Sequence, residues 1–267
     1  MPEHAGAIPL GPFDLLVAAV LVVVAGLISL ALRLGLEKQL AIAATRTVVQ
    51  LSLVGYVLVW IFRANTPWLV LAAMLVMTVA AGRAAVARSK RGFRGVYPRV
   101  FVTLLLTGTL TTAAVTQGVI GVTPWYEPQY VIPLLGMVFG NSLTGISLCL
   151  DHLLETFDEH RGRIEMELSL GATAWEASRD SLRGAITRGM IPIINSLTIA
   201  GVVSLPGMMT GQILAGADPL QAVAYQIVVM FMIAAAVAGG AMLVVLLAGR
   251  HFMGADAVPR LDRLRKA

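Results

Sequence analysis

The sequence is short of charged residues. Asp, Glu, Lys and Arg make up 13% of its 267 residues, whereas a soluble domain carries about a quarter. Apolar residues make up 57% of the chain, and the mean hydropathy is +0.81. This composition excludes an ordinary soluble domain and predicts a polytopic membrane protein.

The sequence also lacks the motifs that ATPases and common soluble enzymes use. It has no Gly-x-x-x-x-Gly-Lys-[Ser/Thr] phosphate loop, no Cys-x-x-Cys pair and no Gly-x-Ser-x-Gly elbow. The single cysteine, Cys149, excludes an internal disulfide. We therefore expect neither enzyme activity nor a cofactor bound by this chain. The four histidines lie outside the long apolar runs, at His4, His152, His160 and His251.

Seven apolar runs are long enough to cross a bilayer, for which a helix needs about 20 mostly apolar residues. They use up most of the chain and leave no room for a separate soluble domain. The sequence thus predicts one all-α domain over residues 1–267, a polytopic transmembrane helical bundle of about seven spans. The predicted spans are Phe13–Leu32, Leu40–Phe62, Trp68–Ala87, Val100–Ile120, Tyr130–Leu150, Met190–Leu214 and Ala222–Ala248.

Positive charge predicts the orientation of these spans. With the N-terminus outside, all of the 20 Lys and Arg residues except Arg46 and Arg63 lie on the inner side. The C-terminus and the connection 151–189 are then cytoplasmic. The basic pI, near 9.8, follows from this topology, so we expect the partner to be the lipid bilayer and not nucleic acid.

The stretch Ile164–Ala177 is a charged, helix-prone segment between apolar runs. Such a segment suits a helix at the cytoplasmic surface that receives force from a soluble partner. Its pattern resembles the coupling-helix loop of ABC-transporter permeases, which docks on an ATPase subunit. The candidate ATPase contacts are Glu165, Glu167, Gly171 and Ala172.

Polar residues inside the predicted spans are candidates for a substrate pathway. A buried Arg costs several kcal/mol, so Arg46 is expected to face protein or water, although its side chain could also reach the inner surface. Pro206-Gly207 predicts a break in the sixth span, where transporters often bind substrate. Helix packing by small residues is the alternative for each single position. The candidates are Arg46, Gln50, Asn141, Ser142, Thr144, Asn195, Ser196, Pro206, Gly207, Met208, Met209, Thr210 and Gln212.

Metal-binding signals in the sequence are weak. Asp151, His152 and Glu155 follow the fifth predicted span, and the two carboxylates share a helical face. A solvated helix start is the alternative. Met208 and Met209 carry soft thioethers that would suit a soft metal, although paired methionines in a span are more often core filler.

Several longer strings resemble the FetB-type iron-export permeases, a family that includes plant aluminium-tolerance permeases of the STAR2 type. The resemblance implies a multi-pass bacterial inner-membrane ABC permease, commonly dimeric, with ATP bound by a separate ATPase subunit. It also implies export, usually of iron or another metal. The general permease loop has Leu-Pro where this chain has Arg183-Gly184. The matching strings are Arg46-x-x-x-Gln50-Leu51, Gly136-Met137-x-x-Gly140-Asn141-Ser142, Glu167-Leu168-x-Leu170-Gly171-Ala172 and Ser204-Leu205-Pro206-Gly207-Met208-Met209-Thr210-Gly211-Gln212.

Two other functions stay open at this point. One is a secondary carrier driven by an ion gradient, which would need acidic residues in its spans. Asp and Glu are absent from the predicted span cores. The other is ABC export of a non-metal solute such as a nucleotide sugar, because the pathway candidates are neutral apart from Arg46.

Overall fold

The computed structural model describes residues 8–89, 91–93, 95–252 and 264–266, and the chain is helical over most of them. The predicted all-α class is confirmed. The two short strands, β1 (Arg91–Phe93) and β2 (Leu264–Lys266), pair antiparallel. The helices are α1 (Pro12–Ala31), α2 (Glu37–Ala64), α3 (Pro67–Arg88), α4 (Val96–Val115) with a π-helical turn (Thr116–Ile120), α5 (Pro128–Glu159), α6 (Arg161–Ser169), α7 (Ala174–Ile199), α8 (Gly207–Leu214) and α9 (Pro219–Phe252).

Six helices in the described part of the chain are long and apolar enough to cross a membrane. They are α1, α2, α3, α4 with its π-helical turn, α5 and α9, and they coincide with six of the seven predicted spans. The chain is therefore an integral, multi-pass membrane protein. The number of crossings and the sidedness of the termini stay predictions.

The predicted sixth span, Met190–Leu214, is not a continuous helix. Its first part is the end of α7, which begins much earlier, at Ala174. The backbone then leaves the helix at Ala200 and becomes helical again only at Gly207, where the short α8 begins. The sequence predicted a break at Pro206-Gly207, but the interruption begins earlier, because the backbone already turns at Gly201, whose φ is +82°.

Helix α5 is the centre of the packed region and contacts α3, α4, α7 and α9. Its buried face includes Leu135, Val138 and Ile146, none of which is accessible to solvent. Two glycines let α5 and α7 approach closely, since a Cβ at Gly189 would lie 2.8 Å from the Gly145 carbonyl oxygen. No larger residue fits this contact without moving the backbone.

The α1–α2 hairpin packs very differently. In each of these two helices, only 6% of the 18-residue stretch that is apolar enough to cross a membrane is buried. Beyond the contact of the two helices with each other, α2 makes a small contact with α5, and its Ile61 is buried in a cluster with Val70 of α3 and Val131 and Ile132 of α5. Near the turn of the hairpin, the Ser29 hydroxyl donates to Glu37 at 3.2 Å. The hairpin therefore depends on lipid or on a partner to cover most of its surface.

Candidate functional site

The first candidate region is the elbow, which we define as α6, the turn 170–173 and the first turn of α7. The sequence predicts a helix-prone segment over Ile164–Ala177, and in the structure this segment divides, because α6 ends at Ser169 and α7 begins at Ala174. Gly171, with φ +95°, makes the turn between them. A Cβ at Gly171 would meet nothing within 4 Å, so this glycine serves the turn within the chain.

A capping box fixes the start of α7. The Thr173 N–H donates to the Glu176 carboxylate at 2.8 Å, and the Glu176 N–H donates to the Thr173 hydroxyl oxygen at 3.2 Å. The Thr173 hydroxyl also donates to this carboxylate at 2.7 Å. These hydrogen bonds, chiefly that from the Thr173 side chain, lower the pKa of Glu176 from its usual 4.5. The elbow therefore has a defined shape at neutral pH.

The two acidic candidates of the elbow are already paired within it. Glu165 accepts from Arg161 at 2.8 Å, and Glu167 lies 3.5 Å from Arg163. Arg163 also reaches Asp180 on α7, at 3.6 Å, and so joins the two helices. Surface ion pairs contribute about 0–1 kcal/mol each, so these contacts orient the elbow more than they stabilise the fold.

The apolar side chains of the elbow divide into two sets. Ile164 is buried in the main core, and Leu168 packs against that core. By contrast, Met166, Leu170 and Trp175 are 55%, 80% and 51% exposed. They lie among charged residues, outside the helices that are apolar enough to cross a membrane. We call these three residues the elbow patch, and an exposed apolar patch rimmed by polar groups is typical of an interaction site.

The second candidate region is a cavity of about 280 Å³ at the interruption between α7 and α8. Residues from α5, α7, the link 200–206, α8 and α9 form its wall. Among the described residues, none in the wall is Asp, Glu, Lys, Arg or His, so the wall carries no formal charge. The wall consists of Met137, Asn141, Ile193, Ser196, Ile199, Ala200, Ser204, Pro206, Gly207, Met208, Gln226, Met230 and Ile233.

The link between α7 and α8 is held by its own backbone. In a continuous helix, the Gly201 N–H would bond the carbonyl of residue 197. Instead it donates to the Ser204 carbonyl at 2.9 Å, and the Val203 N–H donates to the Ile199 carbonyl at 3.0 Å. Pro206 is the residue before α8 and follows the break. Thus an end of α7 and the start of α8 meet at the cavity, an arrangement that transporters use at substrate sites.

The amides of the cavity offer side-chain oxygens as hydrogen-bond acceptors. The Asn141 amide NH₂ donates to the Met137 carbonyl at 2.9 Å, which leaves its side-chain oxygen for a ligand. The Ser196 hydroxyl donates to the Pro192 carbonyl at 2.9 Å. Gln226 is 7% exposed, and its side-chain oxygen has no hydrogen-bond partner. A buried polar atom without a partner is costly, so Gln226 points to a ligand or to water.

The structure brings only part of the predicted pathway together. Asn141, Ser196, Pro206, Gly207 and Met208 line the cavity. The other candidates lie outside the wall. Arg46 and Gln50 are exposed on α2, and Asn195 is exposed on α7. Ser142 is buried in α5, and Thr144 accepts from Arg88 at 3.2 Å; on α8, Thr210 donates to the Pro206 carbonyl at 3.2 Å, and Met209 and Gln212 do not line the cavity.

The candidate metal residues after the fifth span do not form a metal cluster. Helix α5 continues through them to Glu159, so His152 is turned away from the face that Asp151 and Glu155 share. The His152 ring packs against α7, where its Nε2 lies 3.1 Å from the position of a Cβ at Gly184. Within residues 8–89, 91–93, 95–252 and 264–266, no group of three or more His, Cys, Asp or Glu side chains could hold a metal ion.

Sequence reasoning missed the contribution of α9 to the cavity. Gln226 and Met230 are four residues apart and therefore share one helical face. An amide inside a predicted span is a signal that could have been used, because such groups usually face protein or water. Ser204 and Met137 were also outside the predicted set, although they flank its members.

Comparison with known proteins places this arrangement in a family. The family model described as "Uncharacterised protein family (UPF0014)" matches residues 12–253. The chain is 38% identical over 222 residues to the "Probable iron export permease protein FetB" of Escherichia coli, covering 82% of this chain and 83% of that protein. No solved structure matches the chain significantly.

Two further relatives cover similar shares. The "UPF0014 membrane protein YjkA" of Bacillus subtilis is 39% identical over 215 residues, which is 79% of this chain and 83% of that protein. The "UPF0014 membrane protein STAR2" of Oryza sativa subsp. japonica is 36% identical over 217 residues, which is 81% of this chain and 74% of that protein.

Proposed function

The chain belongs to the UPF0014 family of membrane proteins, and from this premise we propose that it is the permease subunit of an ABC transporter. In this proposal, a separate subunit binds and hydrolyses ATP, and the permease exports iron or another metal species through the cavity between α7 and α8. The name of the Escherichia coli relative, a probable iron export permease, supports the cargo class and the direction.

The observation that carries the proposal is the continuity of α7. This helix begins in the elbow at Ala174 and ends at Ile199 in the wall of the cavity. Its 26 residues span about 39 Å at 1.5 Å per residue. A helix of this length, packed on α5 and α9, links a displacement of the elbow directly to the cavity.

The elbow patch supports the docking of the ATPase at this end of α7. Aromatic and large apolar residues that are exposed among charges form the anchors of protein interfaces. Trp175 lies in the first turn of α7, so its contacts act directly on the helix that ends at the cavity. Because Glu165 and Glu167 are paired with arginines of their own helix, the docking contacts we expect are primarily apolar.

The exposed polar face of α2 supports a homodimer. Arg46 and Gln50 share one helical face and are exposed in a helix that is otherwise apolar enough to span a membrane. A charged group at membrane depth is expected to face protein or water. A second copy of the chain that packs on α2 would cover both residues.

The proposal is tested with Leu170→Asp in permease that is co-expressed with its ATPase. We expect co-purification of the ATPase and ATP-dependent metal transport in proteoliposomes to fall together, by tenfold or more, because a charge enters an apolar contact. The matched control is Leu220→Asp, because Leu220 is 79% exposed, like Leu170 at 80%, and lies outside the elbow. Normal transport by Leu170→Asp, or an equal loss in both variants, would contradict the proposed docking site.

A further inference from the structure

Three methionines on three different helices converge on the cavity. Met137 comes from α5, Met208 from α8 and Met230 from α9. They are three of the chain's 12 methionines, and their thioether sulfurs are neutral, polarisable ligands. Methionine also has three rotatable bonds, so its sulfur adjusts to a ligand more readily than a branched side chain does.

Beside the N–H and O–H groups of its amides and serines, the cavity presents neutral oxygen atoms. They include the amide oxygen of Asn141, whose NH₂ is bonded to the backbone, and the unpartnered amide oxygen of Gln226. No carboxylate, imidazole or thiol occurs among the described residues of the wall. Hard, highly charged cations are held by carboxylates and other oxygen ligands, whereas thioethers select soft ions such as Cu(I).

We propose that this cavity binds a soft, monovalent metal cation, of the Cu(I) and Ag(I) type, through the thioether sulfurs of Met137, Met208 and Met230. The amide oxygens of Asn141 and Gln226 complete the site at its edge. A single positive charge needs less negative charge to balance it than Fe(III) or Al(III) does, so a wall whose described residues include no carboxylate suits it. The inference rests on the proposed function only in taking the cavity as the place where cargo is bound.

The size of the cavity fits an ion that keeps some water. A water molecule takes about 30 Å³ of liquid volume, so a cavity of about 280 Å³ holds an ion together with several waters. Gln226 and Asn141 offer acceptor oxygens to which metal-bound water can donate hydrogen bonds. The C-terminus of α7, which favours a cation, and the N-terminus of α8, which favours an anion, meet at the cavity, so the two helix ends oppose each other there.

The test measures Ag⁺ binding to the purified permease without its ATPase. The probe is silver nitrate in a chloride-free and thiol-free detergent buffer, and bound silver is counted per chain after gel filtration. The test variant combines Met137→Leu, Met208→Leu and Met230→Leu, since Leu and Met have similar volumes and exchange at little cost. The matched control is Met209→Leu, which neighbours Met208 but does not line the cavity.

We expect the wild type and Met209→Leu to bind one more tightly held Ag⁺ than the triple variant does. We also expect affinity at this site to fall at least tenfold in Gln226→Leu, which removes an oxygen but no sulfur. Cys149 is present in every variant, so silver on its thiol cancels in the comparison. X-ray absorption of the bound silver should show sulfur neighbours that are lost only in the triple variant.

Equal silver binding by the triple variant and the wild type would overturn the proposal, as would tight binding of Al³⁺ or Fe³⁺ that depends on the same three methionines. Because the assay contains no ATPase, it separates the site from the transport cycle. Silver binding without ATP-dependent transport would sustain the metal site and contradict the proposed function. Transport without silver binding would sustain the proposed function and contradict the metal site.

Discussion

The packed region formed by α3, α4, α5, α7 and α9 and the α1–α2 hairpin obey different constraints. In the packed region, α5 and α7 approach so closely that only glycine fits at Gly189. In the hairpin, a Cβ at Gly26 or Gly55 would meet nothing within 4 Å. The packed region therefore holds its shape by side-chain fit within one chain, whereas the rest of the described chain leaves most of the hairpin uncovered.

The difference also changes how a polar residue is interpreted. In the packed region, a polar side chain can find a partner on a neighbouring helix, as when the Ser147 hydroxyl donates to the Ala85 carbonyl at 2.9 Å, whereas the Gln226 side-chain oxygen has none among the described residues. Arg46 and Gln50 lie on the sparsely packed α2 and are exposed. A polar residue that faces outward from a membrane helix indicates an interface, because lipid tails offer no hydrogen bonds.

The largest expected effect is that of Gly189→Ala in the packed region. The new Cβ would collide with Cys149 Sγ and lie 2.8 Å from the Gly145 carbonyl oxygen, and overpacking of this kind costs about 1–3 kcal/mol. We expect a clear drop in the melting temperature of the detergent-purified protein. The matched control, Gly55→Ala in the hairpin, should melt at or above the wild-type temperature, because Ala favours a helix. Equal melting temperatures would mean that the two regions do not differ as described.

A smaller effect is expected for Arg46→Leu in the hairpin. The substitution removes a charge whose burial at membrane depth costs about 2.5–3.5 kcal/mol on insertion scales. The substitution therefore stabilises the single chain in lipid, and a second copy is no longer needed to shield this face of α2 from lipid. We expect the dimer fraction, measured by cross-linking in liposomes, to fall severalfold while the melting temperature holds. Val48→Ser is the control, since Val48 lies on the opposite side of α2 and is also exposed. A dimer fraction unchanged by Arg46→Leu would exclude this face as the interface.

The smallest effect concerns the capping box of the elbow. The pKa of Glu176 is lowered by hydrogen bonds from Thr173. The carboxylate therefore stabilises the start of α7 above the unfolded pKa, near 4.5, and this contribution disappears as the pH falls through the lower folded pKa. Carboxyl carbon NMR should place the Glu176 pKa below 4.5 in the wild type and return it towards that value in Thr173→Ala. An unchanged titration in Thr173→Ala would contradict the cap.

Much of the fold could be predicted from the sequence, since apolar run length reports on spans directly. The third predicted span, Trp68–Ala87, differs from α3 (Pro67–Arg88) by one residue at each end. Helix α7 was not foreseen, because Arg179, Arg183 and Arg188 interrupt the apolar pattern without interrupting the helix. Backbone hydrogen bonds continue from a charged stretch of sequence into an apolar one, and hydropathy cannot detect this continuity.

The cavity was foreseen on one side only. The Pro206-Gly207 break and Asn141 are visible as polar or helix-breaking residues in apolar runs, and both belong to the wall. Gln226 could have been singled out as an amide inside a span, but nothing in the sequence says that the face of α9 with Gln226 and Met230 turns towards α8. Conversely, Arg46 and Gln50 are polar residues within a span, as a pathway would need, but they lie on a helix that does not reach the cavity.

The central claim is that α7 couples the elbow to the cavity, and cysteine accessibility tests it most directly. Ser196→Cys places a thiol in the wall of the cavity, while the native Cys149 is fully buried. We expect the rate of alkylation by a small polar maleimide in proteoliposomes to change severalfold when the ATPase and ATP are added, and we expect Leu170→Asp to abolish this change. A rate that does not respond to the ATPase and ATP, or a response that persists in Leu170→Asp, would contradict the coupling of the elbow to the cavity.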